Sequence, residues 1–346
     1  MNRYTELAVQ GYEKVLRCDN EQIDFSAWIA VHNSSRGPAL GGCRLWNYHT
    51  DEAAFSDVLR LSRGMSYKNS LAGLFLGGGK SVVRVNLETV DRQALFEAMG
   101  DFVEQLAGDY IVAEDVNSTV EDMAVVKRKT KHVATVGASG NPSPFTAYGV
   151  YCAIKAACLH RFGSDDLSGR TVAIQGVGET GSRLAKLLYK ENCRLFVTDI
   201  NPNNLQQLES QILCTPVTPE EIVGIPCDIL SPCALGAILN PNTIAQLNCS
   251  IIAGSANNQL STEEAGILIH NRGILYVPDY AANAGGVINI SCEIGQAYNR
   301  DKAYRLTADI AGTVEIILNR AAEQNVPTSV IADSLAAQSF GCHVPD

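Results

Sequence analysis

Apolar and polar positions follow two rhythms along this chain, and the switches between them mark the elements. Residues 26–32 (SAWIAVH) are dense in apolar and β-branched side chains and predict a strand. The run from Gly37-Pro38 through Gly41-Gly42 breaks that pattern. Residues 51–64 (DEAAFSDVLRLSRG) carry helical apolar spacing, with Thr50 placed as an N-cap. GGGKSVVRV, 77–85, reads as a glycine turn leading into a β-branched strand. Residues 91–107 are again helical, and YIVAEDVN, 110–117, is a strand that ends on acids. The segment 118–129 opens with a capping box, Ser118-x-x-Glu121, and predicts a helix.

SGNPSP at 139–144 has the composition of a turn or linker. A helix follows from about 145 to 162, and then 171–201 reads as strand, glycine turn, helix, strand. Later β-like pieces end at 227–230, 250–253 and 274–277, with helices between them. This is the pattern of a doubly wound α/β unit. The stretch from about 301 to 338 is mostly helical and is expected to pack back on the first domain.

A length of 346 residues predicts two domains, at roughly 100–200 residues each. With 46% hydrophobic residues the chain has enough apolar surface for packed cores. Charged residues are only 18%, a composition suited to surface hidden between subunits. A net charge of −10 without a basic block argues against nucleic acid as a partner. No apolar run is long enough to span a membrane, and the N-terminus lacks the apolar centre of a signal peptide. The 11 Cys are scattered, without a CxxC pair, and read as reduced thiols of a cytoplasmic protein. The 6 His are scattered too, so no metal site is expected.

Gly176-Val177-Gly178-Glu179-Thr180-Gly181 is a G-x-G-x-x-G turn between an apolar strand and a helix. Asp199 lies 18 residues past Gly181, at the end of the next strand. In that context the first glycine permits the tight turn, the second lets a pyrophosphate approach, and the third lets helix and strand pack closely. A carboxylate at Asp199 can accept from both ribose hydroxyls and repels a 2′-phosphate, which favours NAD over NADP. A second glycine run, Gly77-Gly78-Gly79-Lys80-Ser81, mimics a P-loop but fails its spacing, because Leu74 stands where the first glycine is needed. What remains there is a lysine on flexible backbone at the mouth of a strand.

Lys68 (MSYKNSLAG) and Lys80 (FLGGGKSVV) are both set among small or apolar residues. Burial and a neighbouring ammonium lower a lysine's pKa, and such a lysine can act as a general base near neutral pH. Asp115 sits beside Glu114 at a strand end, and one of the two is expected to face the site. One ammonium to hold a substrate carboxylate, one to act as base, a carboxylate to move the amine's proton, and a dinucleotide fold together suit oxidative deamination of an α-amino acid.

With these residues in view, the chain resembles the Glu/Leu/Phe/Val dehydrogenase family and, within it, the leucine dehydrogenase branch. The resemblance runs over roughly residues 10–335 and rests on GPALGGCRLW, LRLSRGMSYKNSLAGLFLGGGKS, AEDVNSTVEDM, SGNPSPFTAYGVY, QGVGETG, VTDIN, SPCALGAILN, AGSANNQL and PDYAANAGGVINI. It implies an α/β protein of two domains around a catalytic cleft that closes on substrate. The first, 1–138 plus 325–346, would bind substrate and form the oligomer, and the second, 139–324, would be the NAD-binding Rossmann domain. It implies that Lys68 binds the substrate carboxylate with help from the Gly41–Gly42 backbone. Lys80 would activate the water that attacks an iminium intermediate, and Asp115 would move protons to and from the substrate nitrogen. Thr146, Asn257 and Asn258 would position the nicotinamide. Ile200, Ala234 and Asn283 would complete the cofactor contacts begun by Gly176, Gly178, Glu179, Thr180, Gly181 and Asp199.

By the same similarity, Leu40, Met65, Ala113, Val287 and Ile290 would wall the substrate side chain. That set is aliphatic and offers no cation to a γ-carboxylate, so the expected substrates are leucine, isoleucine and valine, with aromatic amino acids as the alternative. Ile290 replaces the branch's usual Val, a difference worth about 1–3 kcal/mol in discrimination. Asn117 replaces the usual Gly and matches a tryptophan-using branch. Ala134 stands in place of a Thr, the segment Val136–Ser139 is shorter than usual, and Gly181 is often Ala. The sequence stops at Asp346, short of a basic tail found in leucine dehydrogenases, which leaves a dimer or an octamer open. Two other classes fit less well. A nucleotide-sensing protein that had lost catalysis would lack one of Lys68, Lys80 and Asp115. A 2-hydroxy acid dehydrogenase would carry a His base in a glycine-rich setting, whereas His32 and His132 read as structural.

Overall fold

A computed structural model describes residues 2–134, 137–234 and 236–340. Val136, Leu235 and the C-terminal end at 341–346, which the sequence reading touched, lie outside the described residues. The chain divides into two units, 1–140 with 290–298 and 336–346, and 141–289 with 299–335. The first boundary falls after residue 140 rather than 138, and two further segments change sides from the expected bounds. Residues 290–298 group with the first unit, where the Glu293 carboxylate accepts from the Ser139 N–H at 2.9 Å. Residues 325–335 group with the second, where the Thr328 hydroxyl donates to the Tyr276 carbonyl at 2.6 Å.

The first unit runs β1 (Arg3–Glu6), β2 (Lys14–Asn20), β3 (Phe25–Asn33), β4 (Ala39–Trp46), α1 (Asp51–Leu71), β5 (Gly77–Arg84), α2 (Arg92–Glu104), β6 (Tyr110–Glu114) and α3 (Val120–Val126). Its six-stranded sheet has the order β1-β2-β3-β5-β4-β6. The pairs β1–β2, β2–β3 and β3–β5 are antiparallel, and β4 runs parallel to both β5 and β6. Side chains alternate across a strand, and here the alternation separates a core from a site. Phe25, Ala27, Ile29, Val31, Cys43, Leu45, Val83, Tyr110 and Val112 share one buried cluster with Phe96, Met99, Phe102 and Val103 of α2 and Met123 of α3. Trp28, Ala30 and Val82, on the other parity, pack with Ala54, Val58 and Leu61 of α1.

Two glycine runs that read as breaks lie inside strands. A Cβ on Gly41 would stand 1.7 Å from the Gly79 carbonyl oxygen, and one on Gly79 would meet the Tyr110 ring at 2.6 Å. The glycines therefore permit close packing rather than turning the chain. The capping box after β6 is shifted by one residue. Thr119 and Asp122 form it. Ser118 instead donates to the Cys43 carbonyl at 2.8 Å and accepts from the Asp115 N–H at 2.8 Å.

The second unit opens with α4 (Ser143–Phe162) and continues through β7 (Thr171–Gln175), α5 (Glu179–Lys190), β8 (Arg194–Thr198), α6 (Pro202–Glu209), β9 (Thr215–Pro216), β10 (Cys227–Pro232), α7 (Pro241–Gln246), β11 (Cys249–Ile252), α8 (Glu263–Asn271) and β12 (Leu275–Tyr276). Then come α9 (Asp279–Ala282), α10 (Gly285–Ser291), α11 (Arg300–Ala308), α12 (Ile310–Gln324) and α13 (Thr328–Ser339). Its sheet is parallel throughout, in the order β12-β11-β10-β7-β8-β9. From β7 the chain moves first to β8 on one side and later to β10 on the other, so a topological switch point lies between β7 and β10. The C-terminal helices do not return to the first unit as expected. α11 and α12 pack on α4, because their apolar faces, including Ile310, Val314 and Ile317, bury there. Only from Ala336 onward does the chain group with the first unit, where Ser70 donates to the Ala336 carbonyl.

Candidate functional site

In the first unit, Leu40, Gly42 and Arg44 of β4, Lys80 of β5, and Ala113 and Asp115 at the end of β6 share one parity, on the face that bears α1. Gly42 pairs with Ala113 across β4 and β6. A Cβ on Gly42 would stand 2.6 Å from that of Asp115, so the glycine makes room for the carboxylate. Leu40 and Ala113 are buried, and Met65 on α1 is half-buried. Lys80 sits mid-strand with only 5% of its side chain exposed, not at a flexible strand mouth, and its Nζ lies 3.0 Å from Asp115 Oδ1. Asp115, rather than Glu114, is the acid that meets the lysine.

The electrostatics of this pair are lopsided. Burial lowers the Lys80 pKa, opposed by the charge of Asp115 and assisted by that of Arg44. For Asp115 burial favours the neutral acid, but Lys80 and Arg44 outweigh it and bring the carboxyl down to about 2. Asp115 is therefore an anion in the resting site, and Lys80 is the group poised to lose a proton.

Lys68 lies near the C-terminal end of α1 and is half-buried. The helix is pinned on both sides of it. Ser66 lies against Gly78, its hydroxyl 2.8 Å from His32 Nδ1, and the Asn69 amide donates to the Gly77 carbonyl at 2.6 Å. His32 thus has the structural role expected of it.

Arg44 was missed in the sequence. Its Nε donates to Asp115 Oδ2 at 3.1 Å and one terminal nitrogen donates to Asp57 Oδ2 at 3.1 Å. The available signal was an arginine in an apolar strand, two residues from Gly42 and so on the same face. Asn117 carries a φ of +60°, and its amide donates to the Leu45 carbonyl at 3.0 Å. A left-handed residue that accepts Gly or Asn explains that substitution without reference to a substrate.

In the second unit the fingerprint adopts the form its glycines foretell. Gly176 has φ +91°, and a Cβ on Gly181 would stand 1.9 Å from the Gly176 carbonyl oxygen. The space a Cβ would take on Gly178 is open. Gly178 is the N-cap of α5, whose first-turn N–H groups have no partner within the helix and favour an anion. Ala234 approaches Gly176 across the switch point, at 2.8 Å from a Cβ built there. Asp199 accepts from the Val177 N–H and the Asn201 N–H, each at 2.8 Å, which fixes the carboxylate at the end of β8. Ile200 beside it is an apolar side chain that is 89% exposed. Glu179 pairs with Arg183 at 2.8 Å, and Thr180 is half-buried.

Asn257 and Asn258, on the loop after β11, lie beside Asn283 at the end of α9. The Asn283 amide donates to the Ser255 carbonyl at 3.1 Å and to Asn257 Oδ1 at 2.8 Å, and Asn258, at φ +54°, donates its N–H to Asp279. The buried Asn283 Oδ1 has no hydrogen-bond partner among the described residues. Thr146 near the start of α4 donates to the Pro142 carbonyl at 3.3 Å, and a Cβ on Gly286 would crowd its hydroxyl at 2.7 Å. Val287 and Ile290 lie one turn apart on α10, and both are buried. The open glycine cradle, the exposed Ile200 and the unsatisfied Asn283 oxygen all fit a dinucleotide.

Residues 9–132 match the family model described as Glu/Leu/Phe/Val dehydrogenase, dimerisation domain, and residues 201–339 match that of Glutamate/Leucine/Phenylalanine/Valine dehydrogenase. The leucine dehydrogenase of Geobacillus stearothermophilus is 45% identical over 342 residues, 98% of this chain and 93% of the relative. The chain belongs to the Glu/Leu/Phe/Val dehydrogenase family. As a member of it, this protein is an amino acid dehydrogenase.

The L-tryptophan dehydrogenase of Nostoc punctiforme is also similar to this Glu/Leu/Phe/Val dehydrogenase, at 42% identity over 328 residues, 94% of this chain and 92% of the other. The crystal structure of the L-tryptophan dehydrogenase from Nostoc punctiforme superposes with a TM-score of 0.83 at 41% identity, covering 96% of each chain. Among the described residues no helix is long and apolar enough to cross a membrane, and no cluster of side chains could hold a metal ion.

Proposed function

We propose that this dehydrogenase catalyses the reversible, NAD-dependent oxidative deamination of an apolar L-amino acid, with leucine, isoleucine and valine as its substrates. The observation that carries the reading is the Lys80–Asp115 contact at 3.0 Å, set beside the aliphatic Leu40 and Ala113. A buried lysine with a depressed pKa and a carboxylate held as an anion are the acid–base groups that the reaction needs.

In the oxidative direction, L-amino acid, NAD⁺ and water give 2-oxo acid, ammonium, NADH and a proton. Lys68 holds the substrate carboxylate as a point charge. Asp115 takes a proton from the substrate ammonium, so that the nitrogen lone pair can assist loss of hydride from the α-carbon. NAD⁺, held at the glycine turn before α5, would supply the acceptor for that hydride. Lys80, neutral, takes a proton from the water that adds to the resulting iminium carbon. Asp115 then returns a proton to the carbinolamine nitrogen, and the C–N bond breaks as the hydroxyl loses its proton to solvent, which releases ammonia and the 2-oxo acid; Lys80 likewise gives its proton back to solvent. Ammonia leaves as ammonium after protonation. Gly178 at the head of α5 and Asp199 at the end of β8 would hold the pyrophosphate and the ribose, and the fixed carboxylate disfavours a 2′-phosphate. Thr146, Asn257, Asn258 and Asn283 would orient the nicotinamide. Leu40, Met65, Ala113, Val287 and Ile290 would enclose the substrate side chain.

A second reading, aromatic amino acids, has one observation in its favour. The L-tryptophan dehydrogenase of Nostoc punctiforme is nearly as similar to this chain, at 42% identity, as the leucine dehydrogenases at 45%.

We also read the protein as a homo-oligomer, dimer or octamer, formed through the first unit, the part that matches a dimerisation domain. A cytoplasmic location fits its scattered cysteines, none of them set in a CxxC pair.

NADH formation at alkaline pH from NAD⁺ and single L-amino acids tests the reading, with Leu, Ile, Val, Phe, Trp and Glu as the panel. Turnover with Leu, Ile or Val supports it, and turnover confined to Phe or Trp replaces the aliphatic substrate with an aromatic one. Silence across the panel would overturn it.

A further inference from the structure

Arg44 belongs to no part of the proposed chemistry, yet it touches the carboxylate at the centre of it. The two oxygens of Asp115 are divided between two cations, Oδ1 to Lys80 at 3.0 Å and Oδ2 to Arg44 at 3.1 Å. Arg44 in turn is gripped from behind. Asp57 on α1 accepts from it at 3.1 Å, the Tyr48 hydroxyl donates to the same Asp57 oxygen at 2.6 Å, and Arg60 donates to the other at 2.7 Å. Of this chain only Arg60 is open to water. The side chains of Arg44, Asp57 and Asp115 are 17%, 16% and 20% exposed, so solvent screens their contacts poorly.

The division of oxygens matters for what Lys80 can do. A carboxylate free to turn would offer both oxygens to one ammonium and hold it charged. With Oδ2 committed to Arg44, only Oδ1 faces Lys80. The guanidinium also places a positive charge near the lysine, and Asp57 offsets part of that charge. The other titratable neighbours of the pair, the Cys43 thiol and the Tyr110 phenol, are both buried and pushed far above neutrality by burial, so they stay protonated.

We propose that Arg44, seated by Asp57 and Tyr48, is a positioning residue for the reaction: it holds Asp115 by one oxygen and so presents the other, alone, to Lys80. The inference rests on the amino acid dehydrogenase reading of Lys80 and Asp115. It assigns work to three residues, Tyr48, Asp57 and Arg44, that need not touch substrate or cofactor.

The test uses full-length Arg44→Gln, Arg44→Lys and Asp57→Asn. Three measurements apply: kcat and KM with NAD⁺ and amino acid, the pH profile of kcat/KM, and NADH affinity by fluorescence. Arg44→Gln removes the repelling charge and frees the carboxylate. Its kcat falls about 100-fold, the cost of a misplaced reacting group, and the acid-side limb, where Lys80 loses its proton, moves to higher pH. Asp57→Asn leaves the Arg44 charge less compensated, and the same limb moves to lower pH. Arg44→Lys keeps the charge but reaches one carboxylate only, so kcat falls while the limb stays near its wild-type position. NADH affinity is unchanged in all three. A purely structural role would lower stability without moving the limb in opposite directions. If Arg44→Gln fails to fold, Asp57→Asn carries the test, and an unshifted limb in it overturns the proposal. Nitrogen NMR of the Lys80 ammonium reads the same opposite shifts without turnover. An inactive wild type would therefore count against the deamination reading, and unmoved Lys80 titrations would count against this one.

Discussion

Ser66 fills the space that Gly78 leaves empty. A Cβ built on Gly78 would stand 2.0 Å from the Ser66 backbone nitrogen, which no side-chain adjustment can relieve. The glycine in β5 thereby sets how closely α1 approaches the sheet, and α1 carries Lys68 and Met65. Gly78→Ala is expected to push the helix outward, at about 1–3 kcal/mol of stability. The KM for the amino acid should rise more than that for NAD⁺, because Lys68 moves and the second unit does not. Thermal unfolding beside the two KM values checks this, and an unchanged KM for amino acid would show that Lys68 is not placed by this contact.

Lys80→Ala removes the proposed base and leaves Asp115 its contact with Arg44. The loss in kcat should reach at least about 100-fold, the lower range for a general base, while NADH binds as before. Stopped-flow turnover and NADH fluorescence separate the two effects. A variant that still turns over near the wild-type rate would refute the assigned role.

Asp199→Ala should weaken NAD⁺ and relax the bias against NADP⁺. Charge-assisted hydrogen bonds contribute about 1.5–3 kcal/mol each, so NAD⁺ affinity should drop roughly 10- to 100-fold. Asp199 also accepts from the Val177 and Asn201 N–H groups, so the turn should loosen as well. Hydrogen exchange at Val177 reads that second effect apart from cofactor preference. Preference for NAD⁺ that survives the substitution would remove Asp199 from the ribose site.

His32 should make the first unit acid-sensitive in a defined window. Burial, with the nearby Arg63 charge, pushes its pKa down from 6.5 to about 4. The unfolded chain therefore binds a proton below about 6.5 that the folded one refuses until about 4. Stability falls as pH drops through that interval. Urea unfolding of wild type and His32→Asn at pH 7 and pH 5 tests this. The wild type should lose more stability between the two values than the variant, and equal losses would assign the acid sensitivity elsewhere.

The dinucleotide unit was legible in the sequence because its signals are local. Gly176, Gly178 and Gly181 lie within one strand–turn–helix segment, and Asp199 ends the very next strand, so spacing alone placed them. The Lys80–Asp115 pair was half legible. Each residue stood out in its own neighbourhood, but nothing in either neighbourhood stated that they touch. The glycine runs at 41–42 and 77–79 misled for a related reason. A glycine that bends a chain and a glycine that admits a neighbouring backbone look alike until the neighbour is known.

The local chemistry of each segment, its period, its glycines, its caps and its charges, was therefore available from the order of residues. Strand order was not. The sequence β3-β5-β4-β6 across the first sheet brings residues 44, 80 and 115 together, and it arises from non-local pairing. The network of Arg44 and Asp57 exists only because β4 lies between β5 and β6 with α1 across one face. A side chain's reactivity depends on what surrounds it in space, and that is decided when the strands pair.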